Sequence, residues 1–146
     1  MTSTRFVLAA AAAFIGLAGC AQEAGPAVAA PDAWSQAQAG KLTLIDIRRP
    51  DEWKQTGVAQ GALEINMAQP QGVAGFVQQV EAELDGDKSA PIALICRTGN
   101  RSTQMQQALR DAGFTQVLNV GEGMAGSAAG PGWIARGLPI ESCKTC

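Results

Sequence analysis

A cysteine, a residue able to act as a nucleophile, lies between a predicted buried strand and a predicted helix. Cys96 directly follows the apolar run at residues 92–95, and it precedes a segment in which Met105, Ala108 and Leu109 share one helical face. In such a strand-loop-helix turn, the loop amides and the helix N-terminus point toward the cysteine sulfur, which favours the thiolate. The same amides can hold an anion. The sequence therefore predicts a nucleophilic thiolate beside an anion site.

The loop after this cysteine supplies further groups for binding an anion. Gly99 lets the backbone turn, and Arg97 and Arg101 carry positive charge suited to an anionic donor. The predicted substrate-binding residues are Arg97, Thr98, Gly99, Asn100, Arg101 and Ser102. Three of them have a second interpretation: Arg101 would cap the loop carbonyls, Arg97 would only steer the donor, and Ser102 would cap the helix.

Several segments resemble signatures of the rhodanese-type sulfurtransferases. The loop at residues 96–102 is similar to the active-site loop of that family, and residues 44–53 are similar to its Asp-x-Arg-x-x-x-Glu-aromatic signature. Residues 121–124 and 137–140 resemble its closing segment. The resemblance implies an α/β fold, namely a single rhodanese-like domain with a central parallel β-sheet and helices on both faces.

The resemblance also implies a reaction for the thiol. Cys96 would be the catalytic residue, taking a sulfane sulfur from thiosulfate or a related donor as a persulfide and passing it to cyanide or a thiol. The chain has no histidine, and attack by a preformed thiolate needs no base. No cofactor is expected. The six-residue loop from Cys96 to Arg101 is the sulfurtransferase size, whereas phosphatases and arsenate reductases of this fold resemble a Cys-x5-Arg loop. A non-catalytic sulfur-carrying module is a further alternative.

Three charged residues near the first predicted strand are expected to support the site. Asp46 and Arg48 lie at the end of that strand, at the edge where parallel sheets place their sites. A salt bridge between them that fixes the neighbouring loop is the favoured role, with substrate binding as the alternative. Glu52 is expected to act similarly. Arg136 is expected to be solvated at the surface, with a position reaching into the pocket as the alternative.

Hydrophobic periodicity predicts alternating helices and strands, and this alternation is typical of a parallel sheet. The predicted helices are residues 31–39, 50–54, 72–84 and 101–112, and the predicted strands are residues 42–47, 62–66, 92–95 and 117–120.

The first 30 residues indicate export and lipid attachment. Residues 6–18 form an apolar run of 13 residues, typical of a signal peptide and too short to span a bilayer. Residues 17–20 resemble the bacterial lipobox, which implies a signal peptide at residues 1–19, lipidation of Cys20 and a tether at residues 20–30. A secreted protein cut after Ala29 is the alternative.

Localisation and partners follow from this leader. Ala21 after the lipidated cysteine resembles the pattern passed to the outer membrane, so we expect a periplasmic, lipid-anchored protein. The chain has 11 basic and 13 acidic residues, and removal of the leader removes Arg5. The mature protein would then have 10 basic and 13 acidic residues, which gives a net charge of -3. That charge argues against a nucleic-acid partner and leaves small-molecule donors and acceptors.

The last six residues carry a second pair of thiols. Cys143 and Cys146 lie in a tail at residues 141–146, beyond the domain predicted for residues 31–140. Outside the cytoplasm the pair is expected to form a disulfide. Two cysteines without histidine make a poor zinc site, so no metal is predicted. A relay in which this pair resolves the Cys96 persulfide is an alternative function.

Overall fold

The computed structural model describes residues 25–146, so the predicted signal peptide and Cys20 lie outside the described residues. A four-stranded, fully parallel sheet in the order β3-β1-β4-β5 forms its centre. The strands are β1 Thr43–Asp46, β2 Val58–Ala59, β3 Leu63–Glu64, β4 Ile92–Ile95, β5 Val117–Asn119 and β6 Ile140–Glu141. The helices are α1 Ala30–Gln38, α2 Pro50–Thr56, α3 Gly72–Glu83 and α4 Asn100–Asp111.

Helices cover both faces of the central sheet, which confirms the predicted fold class. On one face Ile45 and Leu94 pack against α3 and α4, and on the other Leu44, Ala93 and Ile95 pack against α1 and Trp133. Every residue of β4 is buried because neighbouring strands flank it and both of its faces are covered. The sheet thus holds the end of β4, and with it Cys96, in a fixed position.

Two short strands form a second sheet that the sequence did not predict. Strands β2 and β6 pair in antiparallel fashion, with Val58 opposite Glu141 and Ala59 opposite Ile140. Each has two residues, too few for alternation to be recognised in the sequence. The pairing brings the C-terminal end of the chain to the end of α2.

The folded unit begins before Pro31, the predicted domain boundary. The amide of Val28 donates to the carbonyl of Asn119 at 2.9 Å, and the amide of Asn119 donates to the carbonyl of Pro26 at 3.0 Å. Residues 26–28 therefore extend the outer edge of β5, although the sequence placed them in the tether. None of the helices found from residue 25 onward is long and apolar enough to cross a membrane.

Candidate active site

Cys96 lies at the base of the loop that joins β4 to α4. Its side chain is only 1% exposed, and it belongs to the core cluster formed with α3 and α4. The amide of Gly99 donates to Sγ at 3.2 Å, and the hydroxyl of Ser102 lies 3.3 Å from Sγ and 2.9 Å from the carbonyl oxygen of Gly99. A purely apolar cysteine would have neither contact. Both groups can donate to a thiolate.

The loop amides are open, whereas two of the loop carbonyls are bonded to another segment. The carbonyls of Cys96 and Arg97 accept hydrogen bonds from the amides of Met124 and Ala125, each at 2.9 Å. Five loop amides have no acceptor within the described part of the chain, those of Arg97, Thr98, Asn100, Arg101 and Ser102. They lie at or just before the start of α4, which is the positive end of the helix dipole. This is a set of donors suited to binding an anion.

Gly99 permits this loop shape and its close contact with the neighbouring segment. Its φ of 87° is in the left-handed region, and a Cβ there would collide with the carbonyl oxygen of Gly121. A side chain at this position would therefore separate the Cys96 loop from the segment that holds its carbonyls.

Arg101 is held by Glu52 and caps no loop carbonyl, which differs from one of the roles expected for it. Its Nη1 and Nη2 donate to the two carboxylate oxygens of Glu52 at 2.7 and 2.6 Å. The Arg101 hydrogen bond, outweighing the opposing effect of burial, lowers the pKa of Glu52 to about 2. The same bond raises the pKa of Arg101 above its usual value. Arg101 and Glu52 are 49 residues apart in sequence, and their pairing joins the start of α4 to α2.

Asp46 and Arg48 form a buried pair that supports α2. Oδ2 of Asp46 lies 2.7 Å from Nη2 of Arg48, and the indole of Trp53 donates to the same carboxylate at 3.0 Å. Arg48 also donates to the hydroxyl of Thr56 and the carbonyl of Gly57, both at 2.8 Å. This geometry matches the supporting role, because the guanidinium is engaged with the chain around α2.

The remaining polar side chains of the loop face outward. Arg97 and Asn100 are exposed and Thr98 is half-buried, and their side chains make no hydrogen bond with residues 25–146. Arg97 contributes to a cavity of about 150 Å³, whose other lining residues are Arg48, Glu52, Gln55, Thr56, Met124, Ala125 and Ile134. Cys96 itself does not line this cavity.

Glu122 was not predicted to take part in the site. It is 2% exposed and accepts hydrogen bonds from the amides of Ala30 and Gly132 and from Nε of Arg136, at 2.8, 2.9 and 2.7 Å. Burial alone would raise its pKa, but these bonds outweigh burial and lower it. Arg136 is thus paired and not simply solvated as expected. Glu122 fixes the segment that contains Met124.

The C-terminal cysteines lie away from the Cys96 loop. Cys143 and Cys146 are joined as a disulfide, with Cα atoms 5.8 Å apart. Within residues 25–146, no hydrogen bond connects them to the loop, and the cavity that they line is separate from the one that Arg97 lines. In the same part of the chain, no group of three His, Cys, Asp or Glu side chains is placed to hold a metal ion.

Comparisons with known proteins agree with this geometry. A family model described as a rhodanese-like domain matches residues 29–129. The chain is 31% identical over 77 residues to the thiosulfate sulfurtransferase PspE of Escherichia coli, covering 53% of this chain and 66% of that protein. It is 24% identical over 100 residues to an uncharacterised protein of Rickettsia prowazekii, covering 67% of this chain and 81% of that protein.

A solved structure shares the same architecture. The polysulfide-sulfur transferase homodimer of Wolinella succinogenes aligns with a TM-score of 0.62 at 26% identity, covering 82% of this chain and 80% of that one. The family match spans well over half of the chain and includes the whole Cys96 loop. On these grounds the chain belongs to the rhodanese-like domain family.

Proposed function

We propose that the chain is a sulfurtransferase that carries a sulfane sulfur on Cys96, taking it from thiosulfate or a related small anion and giving it to cyanide or a thiol. The observation that carries the proposal is the Gly99 amide bonded to the sulfur of Cys96, in a loop where five further amides have no acceptor within residues 25–146. The similarity to a thiosulfate sulfurtransferase of Escherichia coli and to a polysulfide-sulfur transferase of Wolinella succinogenes supports it. Burial of the thiol favours a small donor.

The proposed reaction needs no acid or base from the chain. The Cys96 thiolate attacks the outer sulfur of thiosulfate, the S–S bond of thiosulfate breaks, and sulfite leaves with the electron pair. Total negative charge is unchanged, because the product is a persulfide anion. The Gly99 amide and the Ser102 hydroxyl stabilise the thiolate, and the open amides hold the sulfite oxygens. An acceptor then attacks the persulfide sulfur and restores the thiolate.

The test is thiocyanate formation from thiosulfate and cyanide. Replacement Cys96→Ser should abolish turnover, because a hydroxyl is not ionised near neutral pH and cannot carry a sulfane sulfur. The matched control is the double replacement Cys143→Ser and Cys146→Ser, which removes the C-terminal disulfide but no group bonded to the Cys96 loop, and should retain turnover. Turnover in the Cys96 variant would refute the mechanism. A loaded persulfide without turnover to any acceptor would favour the sulfur-carrying module.

We further propose that the protein is exported to the periplasm and anchored by lipid on Cys20. The support comes from the apolar run at residues 6–18 and the lipobox-like residues 17–20. Such an anchor would place the sulfurtransferase domain at a membrane surface, with a short linker before Pro26.

A further inference from the structure

The C-terminal disulfide is open to approach by another thiol. Cys143 and Cys146 both line a cavity of about 490 Å³ between the end of α2 and the C-terminal tail. Cys146 is exposed and Cys143 is half-buried. The cavity gives a small thiol access to the disulfide from solvent, and Cys146 is the more exposed of the two residues.

The Glu64 carboxylate holds the backbone of the oxidised tail in place. Glu64, at the end of β3, accepts hydrogen bonds from the amides of Lys144 and Thr145, each at 2.8 Å, and from the Thr145 hydroxyl. Burial opposes these contacts, but together they lower the pKa of Glu64. Oε2 of Glu64 also lies 3.5 Å from Sγ of Cys143. The amides of the two residues between the cysteines are therefore ordered around this carboxylate, while Nζ of Lys144 pairs with Glu141 at 2.8 Å.

We propose that the Cys143–Cys146 disulfide is an exchangeable redox site for a dithiol, and that Glu64 favours its oxidised form. The proposal does not depend on Cys96 or on sulfur transfer. One thiolate of the dithiol bonds to Sγ of Cys146, the disulfide breaks, and its electron pair goes to Sγ of Cys143, which then takes a proton. The second thiol of the dithiol attacks the mixed disulfide and releases Cys146. Two electrons and two protons pass to the pair, and the dithiol becomes a disulfide.

Glu64 opposes reduction in two ways, by stabilising the oxidised tail and by repelling the leaving thiolate. In the oxidised tail it binds two amides and a hydroxyl whose positions depend on the closed turn. During the exchange, the leaving Cys143 thiolate would form beside the same carboxylate, and like charges repel, so this step is opposed as well. The amide of Cys146, which donates to Sγ of Cys143 at 2.9 Å, offsets part of that repulsion. Removing the charge of Glu64 should therefore favour the dithiol form.

The experiment measures the redox equilibrium of the pair in the full-length folded chain. Protein is equilibrated with mixtures of reduced and oxidised dithiothreitol, free thiols are alkylated, and cleavage after Glu141 yields a peptide of residues 142–146 for mass analysis. We expect reversible reduction of the native protein. In Glu64→Gln the equilibrium constant should shift toward the dithiol by at least about fivefold, as expected for loss of charge-assisted hydrogen bonds.

The control is Glu83→Gln, which removes the same charge from an exposed residue of α3 and should leave the equilibrium unchanged. Thr145→Ala keeps the carboxylate and removes one donor, so it should shift the equilibrium in the same direction by less. If the Cys143–Cys146 disulfide were reduced only after the protein is denatured, the proposal of an exchangeable site would be wrong. Equal equilibria in Glu64→Gln, Thr145→Ala and Glu83→Gln would overturn the role of Glu64.

Discussion

The ion pair between Glu52 and Arg101 should stabilise the fold by an amount that depends on pH. We consider the replacements Glu52→Gln, Arg101→Gln and both together. The carboxylate accepts from both terminal nitrogens of the guanidinium, and its side chain is only 14% exposed. Each single replacement leaves a polar partner unpaired, while the double replacement removes the interaction entirely. A double-mutant cycle therefore isolates the pair.

The size of the coupling follows from the pKa of the carboxyl group. A fall from 4.5 to about 2 corresponds to roughly 3 kcal/mol at neutral pH, which is an upper bound for this pair. The side chain of Arg101 is 31% exposed, so solvent screens part of the attraction. We expect a coupling free energy of about 1 to 2 kcal/mol at pH 7, more than for a fully exposed pair.

The dependence on pH has a definite sign. Because folding lowers the pKa of Glu52, the stabilisation is fully present above pH 4.5 and is lost as the pH falls toward 2. Urea unfolding at pH 7 and at pH 3 measures this change, and more than half of the coupling should be gone at pH 3. A coupling below about 0.3 kcal/mol at pH 7, or one equal at both pH values, would refute the reasoning.

Three other replacements test separate parts of the molecule. Gly99→Ala should cost more than about 2 kcal/mol in urea unfolding, because its φ is 87° and its Cβ would meet backbone, whereas Gly40→Ala, with a φ of 67° and open space, should cost less. Equal costs would contradict the close contact. Arg97→Gln should raise the KM for thiosulfate by about two- to fivefold, less so at high salt, with unchanged stability; an unchanged KM would remove Arg97 from donor binding. Cys20→Ala should abolish incorporation of labelled lipid and release the protein from membrane fractions, and retention through a salt wash would contradict the anchor.

Most of the fold and the position of Cys96 between a strand and a helix could be predicted from the sequence. The strand at residues 92–95 has the predicted bounds, because a continuous apolar run leaves little freedom at the centre of a sheet. Helix α3 ends one residue before its predicted end, and α4 begins one residue before its predicted start. The turn containing Cys96 follows from these local patterns.

The parts that were missed depend on contacts between distant residues. The bond from the amide of Ala30 to Glu122 joins positions 92 residues apart, and that from Lys144 to Glu64 joins positions 80 apart. Neither carboxylate belongs to a local motif, so its burial and partners depend on the completed fold. The pairing of Arg136 with Glu122 was missed for the same reason.

The mass of the protein after incubation with thiosulfate tests the proposed sulfur transfer most directly. The peptide containing Cys96 should gain one sulfur atom, lose it on addition of cyanide with formation of thiocyanate, and show no gain in Cys96→Ser. The opposite result would be an unchanged Cys96 peptide under conditions in which thiocyanate forms, or a sulfur gained at Cys143 or Cys146 instead. Either outcome would contradict a persulfide on Cys96 as the intermediate.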